Sequence, residues 1–217
     1  MRAVRMRFWQ TFERWSATAF FVAGGLQLAS PTHVVLELFM DIPLPSWIVA
    51  LFILPGLMAT LVGLLGLYPR LIDRAPRLAL AGGVMAGITG TILMMIFGWI
   101  LGGALLSVVS EIAIGTPPGV LFSTFTLTMT LGFVFFGVAT LRSPGFARSF
   151  GLLLLSFAVP WVMVLAATAV FGSTFPEWLT LVIYGPIPFI MLATGYTLRV
   201  ESVSTGRADI SVGVKTS

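Results

Sequence analysis

Residues 47–77 read WIVALFILPGLMATLVGLLGLYPRLIDRAPR. No charged side chain occurs from Trp47 to Tyr68, and Arg70, Arg74 and Arg77 then follow close together. A helix that crosses a bilayer needs roughly 20 apolar residues. Cytoplasmic loops beside such helices collect Lys and Arg. The stretch therefore predicts one crossing that ends in a cytoplasmic turn.

Working outward, five more segments have the same character. Apolar spans are expected at 12–29, 47–68, 78–102, 120–141, 150–171 and 178–198. The third segment stays apolar to about Val109, longer than one crossing requires. None shows the two-residue alternation of a barrel strand, so helices are the expected spanning element. The predicted fold class is all-α: a polytopic membrane helical bundle of about six transmembrane helices. Composition agrees. Of 217 residues, 58% are hydrophobic and 9% charged, whereas soluble domains run near a quarter charged.

The charges set the expected orientation. The 12 basic residues fall before span 1, between spans 2 and 3, between 4 and 5, and after span 6. Six crossings put all of these on one side, which the positive-inside rule makes cytoplasmic. The other side receives His33, Glu37, Asp41, Glu111 and Glu177. The net charge of +4 is thereby explained by topology, with no nucleic-acid partner. The expected location is the cell membrane, with both termini in the cytoplasm. Span 1 has a basic start but no small-x-small cleavage pattern after it, and reads as a retained signal anchor. Residues 200–217 are polar and small, and read as a disordered cytoplasmic tail.

Proline and glycine mark the boundaries. Ser30-Pro31 fits an N-cap and first turn, so a short helix carrying Thr32 to Met40 is expected along the outer surface. Asp41-Ile42-Pro43-Leu44-Pro45, Thr116-Pro117-Pro118-Gly119 and Gly172–Pro176 separate later spans. The even spans close alike, with Tyr68-Pro69-Arg70, Thr140-Leu141-Arg142 and Thr197-Leu198-Arg199. Three repeated helical hairpins would give this pattern, although topology alone enforces part of it.

Four features are candidates for chemistry. His33, Glu37 and Asp41 lie four apart and share a helical face, as ligands for a divalent metal would. The simpler reading makes them the wet face of an interfacial helix whose Val34, Val35, Leu38 and Phe39 face lipid. Tyr184-Gly185-Pro186-Ile187-Pro188 should kink or break span 6 at membrane depth, because each proline removes a backbone donor. Broken helices of this sort build ligand sites in transporters, so Tyr184, Gly185, Pro186 and Pro188 are the candidate ligand-binding residues. The hydroxyls of Thr124, Thr126, Thr128 and Thr130 should bond their own helix or join two helices. The pairs Gly83/Gly87 and Gly98/Gly102 would let another helix approach span 3, from this bundle, a second copy or a protein partner.

No catalytic or cofactor motif is present, and no cysteine. No charged residue lies deep in a span, which argues against ion- or proton-driven transport. The leading expectation is a structural or accessory subunit of a membrane complex, not an enzyme and without a cofactor. The alternative is a small transporter, channel or lipid-binding protein for an uncharged or apolar ligand. A metal-dependent intramembrane enzyme is a third reading, which requires the His33 cluster to bind metal.

Orientation can be read by single-cysteine labelling. Ser204→Cys should be protected from an impermeant maleimide added outside, and Thr116→Cys should react. The reverse pattern would overturn the inside/outside assignment.

Overall fold

The structure, a computed structural model, describes residues 2–42, 46–110, 119–144, 146–171 and 176–213. Side chains are described from Trp15 to Val200 except at 43–47, 104–118, 145, 172–175 and 177. The expected breakers Pro43, Pro45 and Thr116–Pro118 therefore lie outside the described residues, as does Glu111.

Among the described residues the chain is helical throughout and contains no strand. The helices are α1 (Arg2–Gln27), α2 (Ala29–Met40), α3 (Ser46–Leu65), α4 (Tyr68–Ile72), α5 (Pro76–Ser110), α6 (Gly119–Arg142), α7 (Arg148–Phe171), α8 (Glu177–Tyr184) and α9 (Pro186–Gly213). Six segments are long and apolar enough to cross a membrane: Trp15–Met40, Ile48–Ile72, Pro76–Gly103, Gly119–Arg142, Arg148–Phe171 and Trp178–Val200. The protein is an all-α bundle of membrane-spanning type. Its large exposed side chains, such as Phe39, Leu51, Met94, Leu152 and Val159, are those that hydrocarbon solvates.

Three boundaries differ from the sequence reading. The helix over Thr32–Met40 is not a separate surface element. Leu28 stays in the right-handed region (φ −57°, ψ −23°), and Ser30 does not cap α2. The Leu28 N–H bonds Gly24 O at 3.2 Å and the Thr32 N–H bonds Leu28 O at 3.2 Å. Helical bonding thus carries across the junction, and α2 prolongs the first span, interrupted only where Pro31 lacks an N–H. The third span, expected over 78–102, continues as helix to Ser110, and α5 runs unbroken for 35 residues, or about 52 Å at 1.5 Å per residue. Span 6 continues as helix to Gly213, beyond the expected limit at Leu198. That stretch was expected to be disordered, but no proline interrupts it. Residues 214–217 lie outside the described residues.

The spans form a ring in chain order. α1 packs on α3 and α9, α5 on α6, α6 on α7 and α7 on α9, and a lighter α3–α5 contact closes the circle. The two spans of the third hairpin touch each other less than they touch α6 and α1. The three hairpins therefore do not share one packing geometry. Arg74, in the turn before α5, lies over the Phe146 ring at 5.8 Å. This contact brings the turns after spans 2 and 4 to one end of the bundle.

Helices in hydrocarbon associate by close packing, because lipid removes the hydrophobic drive between them. Glycine supplies that closeness. A Cβ on Gly24 would lie 2.7 Å from Leu192 Cγ and 2.9 Å from Pro188 O, and one on Gly195 would lie 3.0 Å from Ala17 O, so α1 and α9 nearly touch. Gly63 seats the Phe20 ring between α1 and α3, and Gly82 seats Phe136 between α5 and α6. The glycines singled out in span 3 behave differently. Gly83 faces Tyr68 at 3.2 Å, while Gly87, Gly98 and Gly102 have nothing within 4 Å among the described residues.

Gly24→Ala should therefore cost about 1–3 kcal/mol, the usual range for overpacking, because a backbone carbonyl has to move. Gly98→Ala should leave stability within about 0.5 kcal/mol, as at an unconstrained surface. Thermal unfolding of the two variants in one detergent makes the comparison.

Candidate functional site

Prolines interrupt the backbone hydrogen bonding of four spans. Pro31 lies in α2, Pro55 in α3, Pro160 in α7, and Pro186 and Pro188 in α9. Each deletes an N–H and crowds the carbonyl four residues back. The α8–α9 junction bends without unwinding. Gly185 keeps right-handed helical angles (φ −57°, ψ −43°), and its N–H bonds Leu181 O at 2.8 Å. The turn is nonetheless tight, since a Cβ at Gly185 would lie 2.5 Å from that same carbonyl. Pro186 and Pro188 leave the carbonyls of Val182 and Tyr184 without their helical donors.

Residues beside these prolines line a cavity of about 320 Å³. It is lined by Gln27 of α1, Ser30, His33 and Val34 of α2, and Val49, Ile53 and Leu57 of α3. Phe122 and Phe125 of α6, Trp161 of α7, Thr180 and Tyr184 of α8 and Ile187 of α9 complete the wall. The volume is about twice the ~150 Å³ that accepts benzene in an engineered core. It lies at the lower end of the ~300–1,000 Å³ range of ligand pockets.

The wall is almost wholly apolar, with an aromatic side. Phe125 meets Trp161 edge-on at 5.4 Å and 81°, and Trp161 meets Tyr184 edge-on at 6.3 Å and 82°. Rings held this way keep the indole in one orientation. Among the described residues no carboxylate, lysine or arginine is part of the wall. Buried polar side chains among the described residues are Ser, Thr and Gln, as the sequence reading expected for the spans.

Most of these polar groups are satisfied. Thr124, Thr126, Thr128 and Thr130 of α6 each bond a carbonyl four residues back, and Thr128 also sits 2.9 Å from the Thr89 hydroxyl of α5. Gln27 Nε2 donates to Thr60 Oγ1 at 2.9 Å, and that hydroxyl donates to Gly56 O at 2.9 Å. Two groups are exceptions. Trp161 is 3% exposed, and its Nε1 has no hydrogen-bond partner among the described residues. His33 Nδ1 is likewise buried and unpartnered. An unmet buried donor or acceptor costs about 1–3 kcal/mol, and native structures contain few.

The sequence candidates fare unequally. Tyr184 lines the cavity, while Gly185, Pro186 and Pro188 shape its border without forming the wall. His33 Nε2 lies 3.3 Å from Glu37 Oε2. Asp41 instead ends α2 in the left-handed region (φ 53°), and its N–H bonds Leu36 O. Among the described residues no three His, Asp or Glu side chains come together as metal ligands. The wet-face reading of α2 also needs correction, because Val34 is buried and His33 joins it in the cavity wall. Trp161, Phe122, Phe125 and the α3 residues carried no sequence signal, since an apolar residue facing a cavity reads like one facing lipid.

The Gln27–Thr60 bond forms part of the cavity floor and should respond asymmetrically to mutation. Thr60→Val strands the buried Gln27 amide and should cost about 1–3 kcal/mol. Gln27→Leu should cost less, because Thr60 keeps its bond to Gly56. Unfolding of both single variants and the double variant measures the difference.

The chain matches no known family model, and no curated protein or solved structure is significantly similar to it.

Proposed function

We propose that this is a multi-pass protein of the cell membrane, with both termini cytoplasmic, that binds a small uncharged and largely apolar ligand. The cavity carries this reading. Its size suits a small ligand, and its wall offers burial and aromatic contact, with no carboxylate, lysine or arginine among the described lining residues. The positive-inside assignment puts the cavity in the outer half of the bilayer, where a lipid or membrane-dissolved molecule can reach it.

A second reading, an accessory subunit of a membrane complex, is favoured by one observation. Gly87, Gly98 and Gly102 present open backbone on the outer face of α5, where a partner helix could pack closely.

Gentle purification from native membranes with mass spectrometry tests both. The wild-type protein should retain a small apolar molecule. Val34→Phe, which fills the cavity from α2, should lower its occupancy about tenfold, equivalent to about 1.4 kcal/mol, with helical content unchanged. A stoichiometric protein partner and no retained small molecule would favour the subunit reading instead.

A further inference from the structure

We infer that the ligand of this cavity is a neutral amphiphile whose head carries a hydroxyl group, recognised by Trp161 Nε1 and His33 Nδ1. The inference rests on the ligand-binding reading above and adds the chemistry of the head group.

The cavity wall is apolar, yet two of its residues carry the buried nitrogens that the protein's own described groups leave unmet. The indole Nε1–H can only donate, so it calls for a ligand oxygen. His33 is complementary. Its Nε2 faces the Glu37 carboxylate at 3.3 Å, which holds the ring proton on Nε2. With the ring proton on Nε2, Nδ1 is an acceptor, and it calls for a ligand O–H or N–H. One acceptor and one donor on the ligand meet both demands. A hydroxyl supplies both functions, alone or with a neighbouring ester oxygen.

Charge and size narrow the class. A carboxylate would meet no cationic side chain other than a protonated His33, and an ammonium would meet no carboxylate in the wall. A volume of about 320 Å³, at about 30 Å³ for each water-sized group, leaves room for roughly ten non-hydrogen atoms. A short or partly inserted acyl chain with a hydroxylated head fits that space. Both nitrogens are buried, and Phe125 and Tyr184 hold the indole edge-on.

The test uses the full chain in lipid nanodiscs with radiolabelled 1-decanol, 1-monodecanoylglycerol and decane, each corrected for uptake by empty nanodiscs. At least one hydroxylated probe should bind about tenfold more tightly than decane, equivalent to about 1.4 kcal/mol. Preference for the glycerol ester marks a membrane lipid as the source, and preference for decanol a free alcohol. Trp161→Phe keeps a ring against Phe125 and Tyr184 but removes the N–H. It should abolish most of that tenfold advantage and leave decane within about twofold, since an aromatic ring still faces the apolar chain. His33→Ala, at a half-buried position, gives the same reading should Trp161→Phe not fold. Equal binding of all three probes to the wild type overturns the inference, as does equal loss of all three in Trp161→Phe. If no probe is retained above empty nanodiscs, the cavity-binding reading itself falls.

Discussion

A backbone surrounded by hydrocarbon has no water to bond, so each N–H and C=O must find its partner inside the chain. The helices of this protein meet that demand, and most of its internal features follow from where it is met or broken. The threonines of α6 return their hydroxyls to carbonyls of their own helix and so add no polarity to the lipid face. The prolines break the rule locally. Pro31, Pro55, Pro160 and Pro186 each interrupt the hydrogen bonding of a different span, and residues beside them line the cavity.

Close packing of the helices depends on glycine. Between α1 and α9 the backbones approach until Gly24 faces the Pro188 carbonyl and Gly195 faces the Ala17 carbonyl. Gly24 thus packs against a proline of the bend itself. The close crossing fixes α9 just where α8 turns away from it, and α8 then rests on α2. The outer segments of the first and last spans, each set off by a proline, therefore border the cavity together. The rigid and the open parts of the bundle are produced by two residue types that act in opposite ways: glycine removes bulk between helices, and proline removes a hydrogen bond within one.

Polar accounting separates scaffold from site. In a bundle with little buried polarity, the Gln27–Thr60–Gly56 chain is complete and links α1 to α3. The incomplete groups, Trp161 Nε1 and His33 Nδ1, both belong to residues of the cavity wall. Satisfied groups hold helices together, and unsatisfied groups are where an outside molecule can contribute energy. The separation also explains why the acidic residues of α2 form no metal cluster. Glu37 is used by His33, and Asp41 is committed to ending the helix in a left-handed conformation.

The sequence by itself determined the helical class, the number of apolar spans and the gathering of arginines at one end. These properties are local: a run of apolar residues has only the helix available to it in lipid, and a charged residue has only the loop. It also located the bend at Gly185-Pro186, because proline acts on its own turn. Tertiary structure decided the rest. Which glycines pack helices depended on which faces turned inward, so Gly24 and Gly195 did so while Gly87, Gly98 and Gly102 did not. The cavity joins residues as distant as Gln27 and Ile187, and its key indole sits among apolar residues that no pattern distinguishes from lipid-facing ones. In a soluble protein, burial separates apolar from polar positions and leaves a periodicity to read. In hydrocarbon both faces of a helix are apolar, so the sequence marks the spans but not their inner faces.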